Sequence, residues 1–201
     1  MDDAQLAALA AHDIRQNQDV LAALLDDSST LALLARWSRT FASSLADGGT
    51  LFFAGNGGSF ADALHLAAEF TGKMGRKRPP LSAYALGTNG SATTAIGNDY
   101  DFEQIFSREL RGLHRPSSAL LVMSTSGNSP NVLRLVETAL DLNEPVLALT
   151  GGSGGALADM CDAIVVPSAR TERIQEAHIL LGHILCGMVE NHLAGNYFEW
   201  D

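Results

Sequence analysis

Thr50-Leu51-Phe52-Phe53-Ala54 runs directly into Gly55-Asn56-Gly57-Gly58-Ser59, and this stretch decides the fold. The first five residues read as a short strand with no polar residue alternating into its apolar centre, which is the pattern of a strand covered on both faces. The glycines close it in a turn. A helical rhythm follows to about Thr71, with Ala63, Leu64, Leu66, Ala67, Ala68 and Phe70 as mostly core-facing material.

The same plan recurs down the chain. Ala83-Tyr84-Ala85-Leu86 reads as a second strand. Ala119-Leu120-Leu121-Val122-Met123 leads into Ser124-Thr125-Ser126-Gly127-Asn128-Ser129-Pro130 and a helix near 131–142. Pro145-Val146-Leu147-Ala148-Leu149 leads into a third turn, Thr150-Gly151-Gly152-Ser153-Gly154-Gly155. Ala163-Ile164-Val165-Val166-Pro167 is the last strand, and a long helix runs from about Thr171 to Leu193. Apolar strands alternating with helices predict an α/β fold, a doubly wound parallel sheet flanked by helices. In that class ligands sit at the carboxyl ends of the strands, where these turns lie. Ahead of this pattern, Leu6, Leu9, Ile14, Val20, Leu21 and Leu24 mark one helix, and Leu31, Leu33, Leu34, Trp37, Phe41 and Leu45 mark a second. Ser28, Ser29 and Thr30 between them are expected to supply the cap. Residues 1–48 are therefore expected to be an N-terminal helical extension packing on the domain, and 49–201 a single structural unit.

At 201 residues, 46% hydrophobic and 18% charged, the composition is that of a globular protein with little room for disorder. The net charge of −10 disfavours a nucleic-acid partner, and the basic run Lys73-Met74-Gly75-Arg76-Lys77-Arg78 is too short to reverse that. No apolar run is long enough to span a bilayer, and Met1-Asp2-Asp3 lacks the build of a signal peptide. Cys161 and Cys186 have no metal-ligand spacing and are expected to be buried free thiols in a reducing cytoplasm.

Three features can carry chemistry. Gly57 and Gly58 admit a ligand close to the backbone, and a helix beginning beyond Ser59 turns its free N–H groups toward that space. The 124–129 turn adds Ser124, Thr125, Ser126 and Ser129, with Pro130 suited to the first helical position. One such turn is ordinary in an α/β fold, whereas the two together make a phosphate cradle. Neither turn is a Walker loop or a dinucleotide fingerprint, so nucleotide binding is disfavoured. His65 and Glu69, four apart, project from one helix face. They are a surface pair, a general base beside a metal ligand, or two metal ligands. His183 lies among apolar residues on the last helix, as a hydrogen-bonded core histidine or a functional one, and His178 is read as a hydrogen-bonded core histidine. His12, His114 and His192 are expected at the surface.

Gly55 through Ser59, His65 through Gly72, Ala95-Ile96-Gly97-Asn98-Asp99-Tyr100, Ser124 through Asn131, Leu149-Thr150-Gly151 and Arg173 through Leu185, in this order and spacing, resemble the sugar isomerase (SIS) domain family and its phosphoheptose isomerase branch. The resemblance implies interconversion of a ketose and an aldose phosphate through an enediol, feeding heptose synthesis for lipopolysaccharide. It implies Glu69 as the base and His183 as the partner acid. It implies zinc, one ion per site, at His65, Glu69, Gln175 and His183. Its sugar-phosphate contacts fall on Asn56, Gly57, Gly58, Ser59, Glu69, Asn98, Asp99, Ser124, Thr125, Ser126, Ser129 and Gln175. Asn89 departs from the pattern, standing where many relatives carry an aspartate. The resemblance further implies a homotetramer, with residues 1–48 packing in the oligomer as well as on the domain.

A non-catalytic branch of the same family binds the replication initiator protein as a scaffold, but lacks the glutamate and final histidine that stand here as Glu69 and His183. A sugar-phosphate sensor would need a nucleic-acid-binding domain for which neither length nor basic surface remains. On one straight helix Gln175 and His183 are separated by about 12 Å and can hardly converge on one ion, so if both serve one site a neighbouring subunit is expected to contribute. The alternative is that Gln175 contacts only sugar, His183 acts at some distance from it, and one chain suffices.

Overall fold

The structure is a computed structural model and describes residues 1–75 and 77–196; Arg76 of the basic run and residues 197–201 lie outside the described residues. The strands are β1 (Leu51–Gly55), β2 (Ala83–Ala85), β3 (Ala119–Ser124), β4 (Val146–Gly151) and β5 (Asp162–Val166). They form one sheet in the order β2-β1-β3-β4-β5, with every neighbouring pair parallel. Successive side chains on a strand point to opposite faces. Leu51, Phe53, Leu121, Met123, Leu147 and Leu149 accordingly face one apolar layer, and Phe52, Ala54, Leu120, Val122, Val146 and Ala148 face the other. Both layers are buried, which is why the strand sequences are apolar without alternation.

The first layer is completed by α1 (Asp3–Asp26), α2 (Ser28–Ala46), α3 (Gly58–Thr71) and α8 (Thr171–Asn196). The second is completed by α5 (Ile105–Leu113) and α6 (Pro130–Asp141), with Leu157 of the short α7 (Leu157–Met160). The N-terminal helices share the core of the sheet through Val20, Leu24, Leu34, Trp37 and Phe41. Trp37 Nε1 donates to Asp162 Oδ2 at 2.9 Å, fastening α2 to the start of β5.

Four local readings are corrected. The cap of α2 is Asp27, whose carboxylate accepts from the Ser29 N–H and from the Ser29 and Thr30 hydroxyls; the three hydroxyl residues lie inside the first turn. Those bonds hold the Asp27 carboxyl down at about 2. Cys186 is buried, whereas Cys161 is half-buried at the end of α7. Burial pushes both thiols up to about 12. His114 is half-buried and paired with the buried Glu144, whose carboxyl is raised by burial while His114 pulls it down. His192 is half-buried rather than at the surface. The segment between β2 and β3 also holds α4 (Gly90–Asp99) and a 3-10 turn, Phe102–Gln104, ahead of α5. Asn89 caps α4 by accepting from the Ala92 N–H.

Candidate functional site

The sheet order reverses direction between β1 and β3, and the turns after these two strands face each other across that crevice. Gly57 takes φ +55° at the start of α3, a conformation that favours glycine, and no side chain caps this helix. Ser129 precedes α6 with Pro130 at the first helical position as expected, and it too makes no cap; its hydroxyl lies 3.1 Å from that of Ser124. Two helix N-termini are thus left without side-chain caps beside a set of hydroxyls, an arrangement suited to an anion. Ser59 and Ser124 are buried, Thr125 and Ser129 half-buried, and Ser126 exposed. Asn56 and Asn131 exchange two side-chain hydrogen bonds of 2.8 Å and bolt the turns together. The third glycine turn acts as a buttress. Gly127 (φ +65°) approaches it so closely that a Cβ would lie 1.9 Å from the Gly154 carbonyl oxygen. Leu157 N–H and Ala156 N–H bond the Gly127 carbonyl and the Asn128 side chain.

The second part of the site lies where α3 and α8 run side by side. A Cβ on Gly182 would sit 2.5 Å from Leu66, so the glycine lets the helices approach. The next residue, His183, places Nε2 2.8 Å from His65 Nε2, and His65 Nε2 is 3.3 Å from Glu69 Oε1. One nitrogen from each histidine and a Glu69 oxygen all lie within 4.8 Å of one another. The three residues come from one chain. Gln175 lies elsewhere on α8, packed against Gly58, where its amide would be 2.5 Å from a Cβ. Asn98 and Asp99 are exposed at the C-terminal end of α4, where the Asn98 amide donates to Asp99 at 2.8 Å; no hydrogen bond joins them to the turns among the described residues.

Two imidazoles and a carboxylate are a donor set that zinc accepts, and a tetrahedral ion would leave a position for substrate or a further ligand. The residues present fit such an ion. Sequence reasoning missed Asp62, half-buried one turn before His65 on α3, with Oδ2 shielded and without a hydrogen-bond partner among the described residues. Burial raises its carboxyl, and His65 and His183 pull it down. Its spacing of three before His65 was a usable signal. It also passed over Asn131 as a functional residue. The Asn56–Asn131 pairing had no local signal.

The SIS domain family matches residues 10–151 of this chain. A phosphoheptose isomerase from Rhodospirillum rubrum is 51% identical over 151 residues, 75% of this chain and 80% of the relative. Another from Burkholderia pseudomallei strain 1710b is 43% identical over 185 residues, 92% of this chain and 94% of the relative. Among solved structures, the phosphoheptose isomerase of Neisseria gonorrhoeae superposes with a TM-score of 0.81 at 41% identity, covering 93% of this chain and 97% of that one.

Proposed function

From the premise that the chain belongs to the SIS domain family and to its phosphoheptose isomerases, we propose that it converts sedoheptulose 7-phosphate to D-glycero-D-manno-heptose 7-phosphate by proton transfer through an enediol. The observation that carries the reading is the juxtaposition of Glu69 and His183 with His65 on neighbouring helices. Moving a hydrogen between adjacent carbons needs one group to take a proton and another to return one, both within hydrogen-bond reach. In this reading Glu69 removes the proton next to the carbonyl and His183 shuttles a proton at the other carbon. Ser124, Thr125, Ser126 and Ser129, with the α3 and α6 N-termini, hold the distal phosphate, so that remote binding energy orients the reacting end. Asn56, Gly57, Gly58, Ser59, Asn98, Asp99 and Gln175 contact the sugar.

His65, Glu69 and His183 would hold zinc, with Gln175 as a further ligand. When bound, the ion supplies a Lewis acid for the carbonyl oxygen. The enzyme works as a homotetramer in the cytoplasm, supplying heptose for lipopolysaccharide. His183 meets the Glu69 of its own chain, so a residue arriving from a neighbouring subunit is Gln175, together with the phosphate turns on its side of the interface. Leu64, Leu180 and Ile184, exposed large apolar residues on the helices that carry the cluster, support an interface there.

The test is incubation with sedoheptulose 7-phosphate, followed by NMR for the aldose. Glu69→Gln is expected to retain substrate binding and lose ~10²-fold or more in turnover. Turnover near that of the wild type would remove Glu69 from the mechanism.

A further inference from the structure

The segment between α3 and β2 is anchored by an ion pair that the proposed chemistry has not used. Arg78 and Glu190 are joined Nε to Oε1 at 2.7 Å, with side chains only 1% and 6% exposed. The guanidinium also donates to backbone carbonyls: Nη2 to Glu69 at 2.7 Å, and Nη1 to Phe70 at 2.8 Å, Pro79 at 3.2 Å and Gly72 at 3.3 Å. Glu190 Oε2 accepts the Gly75 N–H at 3.0 Å. The last carbonyls of an α-helix have no partner within it. At the end of α3 a buried guanidinium takes their place as donor, and one of the carbonyls it holds is that of Glu69 itself. Glu190 stands seven residues, or two turns, beyond His183 on the same helix. The pair therefore ties the helix carrying the carboxylate to the helix carrying the imidazole.

We propose that Arg78 is a positioning residue for the isomerisation, fixing Glu69 relative to His183 by clamping the end of α3 to Glu190 of α8. The proposal rests on the assignment of Glu69 and His183 as the proton-transfer pair. A buried ion pair contributes little net stability compared with apolar packing, whereas it holds the two helices it joins in one geometry. Lysine keeps the charge but lacks the planar fork that reaches several carbonyls at once.

Arg78→Lys and Glu190→Gln test the clamp. In Arg78→Lys, kcat for sedoheptulose 7-phosphate should fall about tenfold or more, with KM within about twofold because the phosphate turns are untouched. The zinc dissociation constant, measured by competition with a chromophoric chelator, should rise by a similar factor. Glu190→Gln, which keeps an oxygen for Arg78, should lie between wild type and Arg78→Lys in both readouts. Thermal unfolding gives the folded fraction at the assay temperature. Wild-type kcat per folded molecule and wild-type zinc affinity in Arg78→Lys would overturn the clamp. If the wild type does not turn over the sugar phosphate, the isomerase reading falls, and zinc affinity alone decides the clamp. If the wild type binds no zinc, kcat alone decides. If it neither turns over the sugar nor binds zinc, both proposals are overturned.

Discussion

His178 lies on α8 with Nε2 3.1 Å from the Thr150 carbonyl oxygen and Nδ1 shielded without a partner among the described residues. Its reading as a hydrogen-bonded core histidine holds for one nitrogen and not for the other. Burial pushes its pKa down to about 4, against a smaller opposite pull from the carbonyl. An unfolded histidine titrates near 6.5, so between about pH 6.5 and 4 the unfolded chain binds more protons than the folded one, and stability falls as pH falls through that window. The full effect is about 3 kcal/mol, at roughly 1.4 kcal/mol per pKa unit. Urea unfolding at pH 7 and pH 4 should show this loss in the wild type and a smaller one in His178→Met; equal losses would reject the assignment. At this scale the sequence showed what one helix holds together. His65 and Glu69 were legible because four residues return a helix to the same face. The meeting of His65 with His183 was not, because it depends on how two distant helices pack.

The strands and the main helices could be read because burial on both faces leaves an unbroken apolar signature and a parallel sheet demands helices between its strands. The exceptions have physical reasons. Helix α4 is built from Gly-Ser-Ala-Thr-Thr-Ala-Ile-Gly-Asn-Asp, largely weak helix formers, and has no buried residue, so neither propensity nor periodicity marked it. Helix α5 has a strong apolar face in Ile105, Phe106 and Leu110, but it is short and follows directly on a 3-10 turn. The α3–α8 contact is the element on which the site depends. Gly182→Val would drive a branched side chain into Leu66, which is fully buried. Overpacking of this kind costs about 1–3 kcal/mol. The variant should therefore unfold at lower temperature and also lose kcat, because the His65–His183 separation widens. Loss of stability with unchanged kcat per folded molecule would show that the close approach serves packing alone.

At the scale of the whole molecule, large apolar residues remain exposed on α1 (Leu6, Leu9, Ile14) as well as on α3 and α8. A self-complementary assembly would cover them, as the proposed tetramer requires. Gln175 at the Gly58 end and His183 at the His65 end of α8 lead to a specific mixing result. Glu69→Gln and Gln175→Ala, each inactive alone, should recover about a quarter of wild-type activity per site when dissociated and reassembled together, if a site combines the two residues from different chains. Glu69→Gln mixed with His183→Ala should recover none, since those residues share a chain. Recovery in the second mixture and not the first would reverse the assignment, and an active monomer in sedimentation would end it. The strand order carries a separate consequence, for synthesis on the ribosome. Leu51 of β1 pairs with Ala119 of β3, while β2 offers β1 only a three-residue edge. At about 5–20 residues per second, roughly 3–14 s pass between the emergence of β1 and that of its main partner. Throughout that interval Leu51-Phe52-Phe53-Ala54 is a nascent apolar strand with one side open, and the growing chain is then most in need of a chaperone.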